Sequence, residues 1–270
     1  MPNPYHDASP ARVRELIEAG EIRESTAGMA AGYVQCNLIV LEKDYADEFR
    51  EFARLNPQPC PVLEEFSGEP ISRFLAPGAN VLRSIPWYNV YRDGQLAETI
   101  PDASAYWKEG MVGFLIGCSY SFEEALLRED IEIRHITQGT PVPMWNTTIP
   151  CKPYGRLKGG TVVSMRPMSP EDAQKAREIT EKMPRVHGGP VHIGDPAAIG
   201  IRDITKPDYG QPVTIREGEV PVFWACGVTP QLIVQSVHPP FALSHRPGYM
   251  FVSDILNTEI EEKLEEREKA

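Results

Sequence analysis

The sequence predicts an α/β protein, a mixed sheet flanked by helices, and three observations carry that prediction. Strand-sized and helix-sized apolar segments alternate from residue 112 onward, the pattern of a sheet covered by helices. The chain has 270 residues, 41% of them hydrophobic, enough to bury a large core. Its 26 prolines and 21 glycines are spread through the connections, so no flexible linker divides it. Residues 1–270 therefore read as one compact unit, either a single body or two intertwined lobes.

Ser9 followed by Pro10 is an N-cap and first-turn pair, Val13, Leu16 and Ile17 mark one apolar face, and Gly20 closes the helix. Residues 33–41 are a β-rich apolar run; Asp44 then caps a helix with Tyr45, Phe49 and Phe52 on one stripe. Residues 87–92 and 95–100 flank Asp93-Gly94, a pair that tolerates positive φ and suits a tight hairpin. The alternation then runs through a strand at 112–116, a helix at 122–127 and a strand at 131–136. Another strand at 161–165 precedes a helix that opens on Ser169-Pro170-Glu171-Asp172 and reaches about Lys182. Strands at 191–193 and 220–225 are each followed by a cap and a proline, Asp195-Pro196 and Thr229-Pro230. Residues 259–270 hold six Glu against three basic residues and read as a solvated acidic helical tail. A faint internal echo sets Cys118-Ser-Tyr-Ser after one strand against Cys226-Gly-Val-Thr after another.

The formal charge of −11, with no basic cluster, argues against nucleic acid as a partner. No window approaches the roughly 18 continuous apolar residues of a membrane helix, so no membrane span is expected. The first 16 residues lack the apolar core of a secretory signal, which points to the cytoplasm. Five widely spaced cysteines form no Cys-x-x-Cys pair and read as free thiols. No Gly-rich phosphate loop, Rossmann triplet or Gly-x-Ser-x-Gly elbow occurs in context, so no nucleotide cofactor is indicated.

In open α/β sheets, ligands settle beyond the carboxyl ends of strands, where helix N-termini suit anions. Three junctions have that form: 117–121, 194–195 and 226–229. The first is the richest, crowding Cys118, Ser119, Tyr120 and Ser121 onto one turn, and a thiol at a helix start can be acidified. Against this, Ser121 can simply cap the helix with Glu124 completing a capping box, and Cys118 can be a packed small hydrophobe. Cys226 reads more readily as packing and Thr229 as a cap.

The segment 187–195 gathers His187, His192 and Asp195 beside glycines and is the rival for proton chemistry, although each alone reads as an ordinary loop residue. It lacks the third ligand or helical spacing that a metal site prefers, so no metal is expected. Arg166, and the pair His245-Arg246, could clamp a substrate carboxylate or pair with surface acids. Asn146, with Thr147 and Thr148, could donate to an oxyanion or cap a loop. If these readings converge, Cys118, Arg166, His187, Asp195, Cys226 and His245 line one cavity that takes a small anionic substrate.

The segments GFLIGCSYSFE (113–123), MWNTTIP (144–150), VHIGDPAAIGI (191–201), VFWACGVTPQ (222–231) and SHRPGYMFVSD (244–254) together resemble the D-glutamate cyclase family. The likeness runs from the opening helix to about residue 254. It implies a second, smaller α+β portion and a hydro-lyase, of which the better-defined activity cyclises D-glutamate to 5-oxo-D-proline with loss of water. On that reading a base comes from His187 or Cys118, the oxyanion sits at Ser119–Ser121, and Arg166 or Arg246 holds the α-carboxylate. Two other functions stay open, a non-catalytic carboxylate-binding protein of the same pathway and a thiol hydrolase using Cys118. A homo-oligomer is an open possibility as well.

Overall fold

The computed structural model describes residues 3–269. In chain order the elements are α1 (Pro10–Ala19), β1 (Tyr33–Glu42), α2 (Lys43–Leu55), β2 (Val62–Ser67), β3 (Tyr88–Arg92), β4 (Gln95–Ile100), β5 (Met111–Gly117), α3 (Tyr120–Arg128) and α4 (Arg134–Gln138). There follow β6 (Met144–Pro150), β7 (Gly160–Met168), α5 (Pro170–Thr180), β8 (His192–Ile193), β9 (Val220–Ala225), α6 (Val228–Ser236), β10 (Phe241–His245), β11 (Phe251–Leu256) and α7 (Ile260–Lys269).

The α/β class holds, built on two sheets. The first runs β2-β5-β1-β10-β3-β4, with β11 also on β1; the second runs β6-β7-β9-β8. Their strand pairs are antiparallel. The chain leaves the first sheet after β5, builds the second, and returns to pair β10 with β1, Ile39 facing Ser244. Helices α2 and α6 cover one face of the first sheet, where Phe49, Phe52 and Ile233 pack on Phe114 and Ile116. Helix α3 joins the two sheets: Phe122 and Leu126 pack with Met168 of β7, Trp224 of β9 and Ala173 of α5.

Local chemistry explains the elements the sequence predicts. The Ser9 hydroxyl accepts from Arg12 N–H, Pro10 opens α1, and Gly20 ends it at φ 83. The Ser169 hydroxyl caps α5 in the same way, accepting from Asp172 N–H. Asp93 and Gly94, at φ 48 and 74, make the paired positive-φ turn of the β3–β4 hairpin. The tail is the helix α7, although it is not wholly solvated: Ile260 and Leu264 are buried in the first sheet's core.

Other expectations are corrected. Residues 131–136 form no strand; Ile131 and Ile133 point into the core between α3 and α5, and α4 begins at Arg134. The alternation of Ile131, Glu132 and Ile133 marks burial of the two isoleucines, which an irregular segment achieves as well as a strand. Asn146, Thr147 and Thr148, expected to serve an oxyanion or cap a loop, lie in the edge strand β6. Asp44 lies in the first turn of α2, with Glu42 at the cap position and no side-chain cap bond.

The end of β5 is tightly enclosed. A Cβ at Gly117 would lie 2.0 Å from the carbonyl oxygen of Arg185, so only glycine fits between the strand and the turn at 184–186. Gly117→Ala is therefore expected to destabilise the protein by about 3 kcal/mol, the upper part of the range for overpacking. Urea denaturation measures it, and a loss below about 1 kcal/mol would show that the turn yields freely.

Candidate functional site

At the junction of β5 and α3, each residue of the turn has a structural partner. Burial pushes the Cys118 thiol up to about 12, although the Tyr120 N–H acts against that, so the expected acidified thiol is reversed. The Ser121 hydroxyl does not cap α3: it accepts from Gln35 N–H of β1 at 3.1 Å. Ser119 occupies the cap position without a side-chain cap bond, and its hydroxyl instead accepts from Arg166 at 3.1 Å. The helix start is also no free anion site, because Ser121 N–H donates to Cys118 O and Phe122 N–H to Ser119 O. Tyr120 stacks on His135, centroids 6.3 Å apart.

Arg166 of β7 is fully buried, and all three of its nitrogens are engaged. Nε and Nη2 donate to Glu123 Oε1, Nη1 to Ser164 Oγ at 2.8 Å and Nη2 to Ser119 Oγ, while Phe122 and Trp224 present their rings 5.0 and 5.5 Å from the guanidinium. Ion pairing, rather than a substrate clamp, is its role in this structure. Burial works to raise the Glu123 carboxyl, but His135 and Arg166 outweigh it and hold the group down at about 2.

Glu123 leads to a cleft of about 650 Å³. Loop 27–33, the outer side of α3, α4 and the turn at 247–249 line it. Among the described residues, Glu123 Oε2 accepts no hydrogen bond, so one carboxylate oxygen is anchored and the other is free. His135, only 4% exposed, also lines the cleft; its Nε2 is 3.4 Å from Glu123 Oε1, and neither ring nitrogen is hydrogen-bonded. An unpartnered buried imidazole beside an ionised carboxylate, in the wall of a cleft, is an arrangement suited to carrying a proton.

Of the residues chosen from sequence, Tyr120 lines this cleft, whereas Cys118, Arg166, His187, Asp195, Cys226 and His245 do not; Cys118 and Cys226 lie close to Arg166 behind it. His187 is buried, its Nδ1 2.8 Å from Gln58 O, and burial lowers it to about 4. His245 Nδ1 accepts from Leu38 N–H at 3.0 Å and meets the Gln231 amide at 2.9 Å; burial again brings it to about 4. His192 Nε2 lies 2.7 Å from Asp195 O, and the exposed Asp195 carboxylate accepts from Ala197 N–H. Asn146 is exposed on the edge strand, its N–H donating to Asp208, and exposed Arg246 lies over Tyr249. Cys226 is buried, with Sγ 3.4 Å from Met144 Sδ and its thiol raised by burial. Thr229 is no cap; its hydroxyl exchanges hydrogen bonds with the Val162 backbone. Sequence reasoning missed Glu123 and His135, although an arginine inside the apolar strand 161–168 already demanded a buried carboxylate.

No group of three or more His, Cys, Asp or Glu positioned to hold a metal occurs among the described residues. No helix there is long and apolar enough to cross a membrane.

The profile of the D-glutamate cyclase family matches residues 112–254. A Bacillus velezensis protein named as a putative hydro-lyase is 50% identical over 95% of this chain and 98% of its own. Putative hydro-lyase YcsI of Bacillus subtilis (strain 168) is 50% identical over 92% of this chain and 96% of its own, and one from Stutzerimonas stutzeri is 47% identical over 95% and 97%. The crystal structure of a nitrogen repressor-like protein from Methanococcus jannaschii covers 90% of this chain at 11% identity with a TM-score of 0.38, too low to argue from.

The buried groups give a signed pH dependence. His187 and His245, at about 4 folded against an ordinary 6.5, bind fewer protons folded than unfolded between those values. Stability is therefore full above about pH 6.5 and falls as pH drops toward 4. Glu123, at about 2 against 4.5, has the same sign and adds its loss between pH 4.5 and 2. Thermal melts across this range should show that fall, and His187→Gln should flatten it between pH 6.5 and 4. An unchanged slope in that variant contradicts the assignment to His187.

Proposed function

The chain belongs to the D-glutamate cyclase family, and on that premise we propose that the cleft is the active site of a water-eliminating lyase acting on a small carboxylic or amino acid. The observation that carries the reading is the unbonded His135 imidazole beside the ionised Glu123 carboxylate. The hydro-lyase names of relatives about half identical to this chain support the reaction class.

The family's named reaction shows what the residues must do. In closing a glutamate to 5-oxoproline, a C–N bond forms, a C–O bond breaks, the amine gives up two protons and the departing oxygen gains two. His135 is the proton carrier between the two ends, taking from the amine and giving to the leaving oxygen. Glu123, held ionised by Arg166, binds the substrate ammonium through its free oxygen and stabilises the imidazolium when His135 is charged. Tyr120, its phenol raised by burial, stays protonated and can donate a hydrogen bond in the cleft. A thiol hydrolase is less well supported, because Cys118 lies outside the cleft lining and is held protonated. A non-catalytic binder would show ligand-induced thermal stabilisation without turnover.

The test is loss of water, followed by mass spectrometry, from a panel of small 2-amino and 2-hydroxy acids that includes D-glutamate, L-glutamate and, in the reverse direction, 5-oxoproline. His135→Gln is expected to lower kcat/KM by about a hundredfold or more, with thermal melts confirming that the variant is folded. Cys118→Ser should retain activity. Water loss from no member of the panel, or full activity in His135→Gln, overturns the proposal.

A further inference from the structure

The charge of the cleft bears on which acid it takes. Neither Lys nor Arg lines it, whereas Glu123 and Glu124 do. The cations behind these acids are committed, Arg166 to Glu123 and Arg128 to Glu124 Oε1 at 2.5 Å. His6 lies at the rim, exposed, with Nδ1 2.8 Å from Asp7. The first-turn N–H groups of α3 that could have held an anion, those of Ser121 and Phe122, bond back to the chain. His135 is the one buried imidazole in the lining, and Glu123 already faces it. Arg166 and Arg128 already offset Glu123 and Glu124, so a dicarboxylate such as glutamate would find no uncommitted Lys or Arg in the lining for its second carboxylate, only the one imidazole.

The cleft is also apolar where it opens. Four large apolar side chains are exposed among the described residues, and two of them, Leu127 (44%) and Ile136 (45%), stand on its wall from adjacent helices. Half-buried Tyr33 of loop 27–33 adds to that surface. Exposed apolar groups gathered at the mouth of a cleft are buried again when a ligand with an apolar part sits there.

The geometry points to a substrate with a protonated amine, a single carboxylate and an apolar body, its ammonium on Glu123 Oε2 beside Glu124 and its apolar part against Leu127 and Ile136. The inference rests on the cleft being the site. It separates this chain's substrate from the acidic amino acid in the family's name: an amino monocarboxylic acid can close to a lactam by the same exchange of C–O for C–N, with its only carboxylate as the reacting group.

Three probes isolate the features by calorimetric titration of the full chain. D-glutamate has an ammonium and two carboxylates, D-norvaline has the same carbon skeleton with a methyl in place of the side-chain carboxylate, and glutarate has both carboxylates and no amine. D-norvaline is expected to bind at least about tenfold more tightly than D-glutamate, and glutarate more weakly than either. Glu124→Gln should narrow the D-norvaline preference by about threefold or more, and Leu127→Lys should reverse it. Both positions reach the surface, and thermal melts confirm folding of the variants.

Equal or tighter binding of D-glutamate, binding of glutarate as tight as that of D-norvaline, saturation by none of the three, or a ratio unmoved in both variants overturns the inference. The catalytic reading fails separately, when His135→Gln keeps its turnover whatever these ratios are.

Discussion

A guanidinium sealed inside a protein has to find a carboxylate, and that requirement fixes how the two sheets of this molecule meet. Arg166 extends from β7 of the second sheet, and Glu123 reaches it from α3, the helix that follows β5 of the first. Removing one partner of such a pair strands the other charge, typically at a loss of about 3–5 kcal/mol. Ser119 and Ser164 each accept a further guanidinium N–H, and Phe122 and Trp224 close over its faces. The carboxylate that results is held by one oxygen and bare at the other. A structural ion pair thus leaves a fixed negative charge at the cleft.

The same arrangement changes how the turn after β5 is understood. Its polar residues invite a functional reading, yet three of the four serve the fold: Cys118 is packed, Ser119 serves Arg166, and Ser121 holds the end of the β1 ladder through Gln35. Tyr120 alone faces the cleft. The second strand–cysteine–helix segment follows suit, with Cys226 against Met144 and Thr229 tied to Val162. The two thiols lie close enough for the charge of one to act on the other, and both are raised by burial. Their likeness is one of position, each ending a strand where a helix begins.

Features written in neighbouring residues were legible in the sequence. Helices α1 and α5 carry their own caps, and the β3–β4 hairpin carries its own turn, so no distant contact is needed to recognise them. Strand β10 and the segment before α4 depend on partners far along the chain, and local periodicity is silent or misleading there. The site divides in the same way. Tyr120 stands beside the conspicuous cysteine, whereas His135 gains meaning only when α4 folds over α3 to set it against Glu123. Arg166 was noticed for its chemistry, but its placement inside an apolar strand was the stronger clue, since a fully buried arginine points inward to a partner before it points outward to a ligand.

The path of the chain through the first sheet has a further consequence, for biogenesis. Strand β1 pairs on one side with β5, which follows soon after, and on the other with β10 and β11, which are reached only after the whole second sheet has been made. During synthesis, one edge of an apolar central strand therefore waits without its neighbours. Open edges of this kind recruit other chains, and pairings distant in sequence close slowly. The second sheet, whose strands lie close together along the chain, can assemble during that delay and hand β10 and β11 back to the waiting edge.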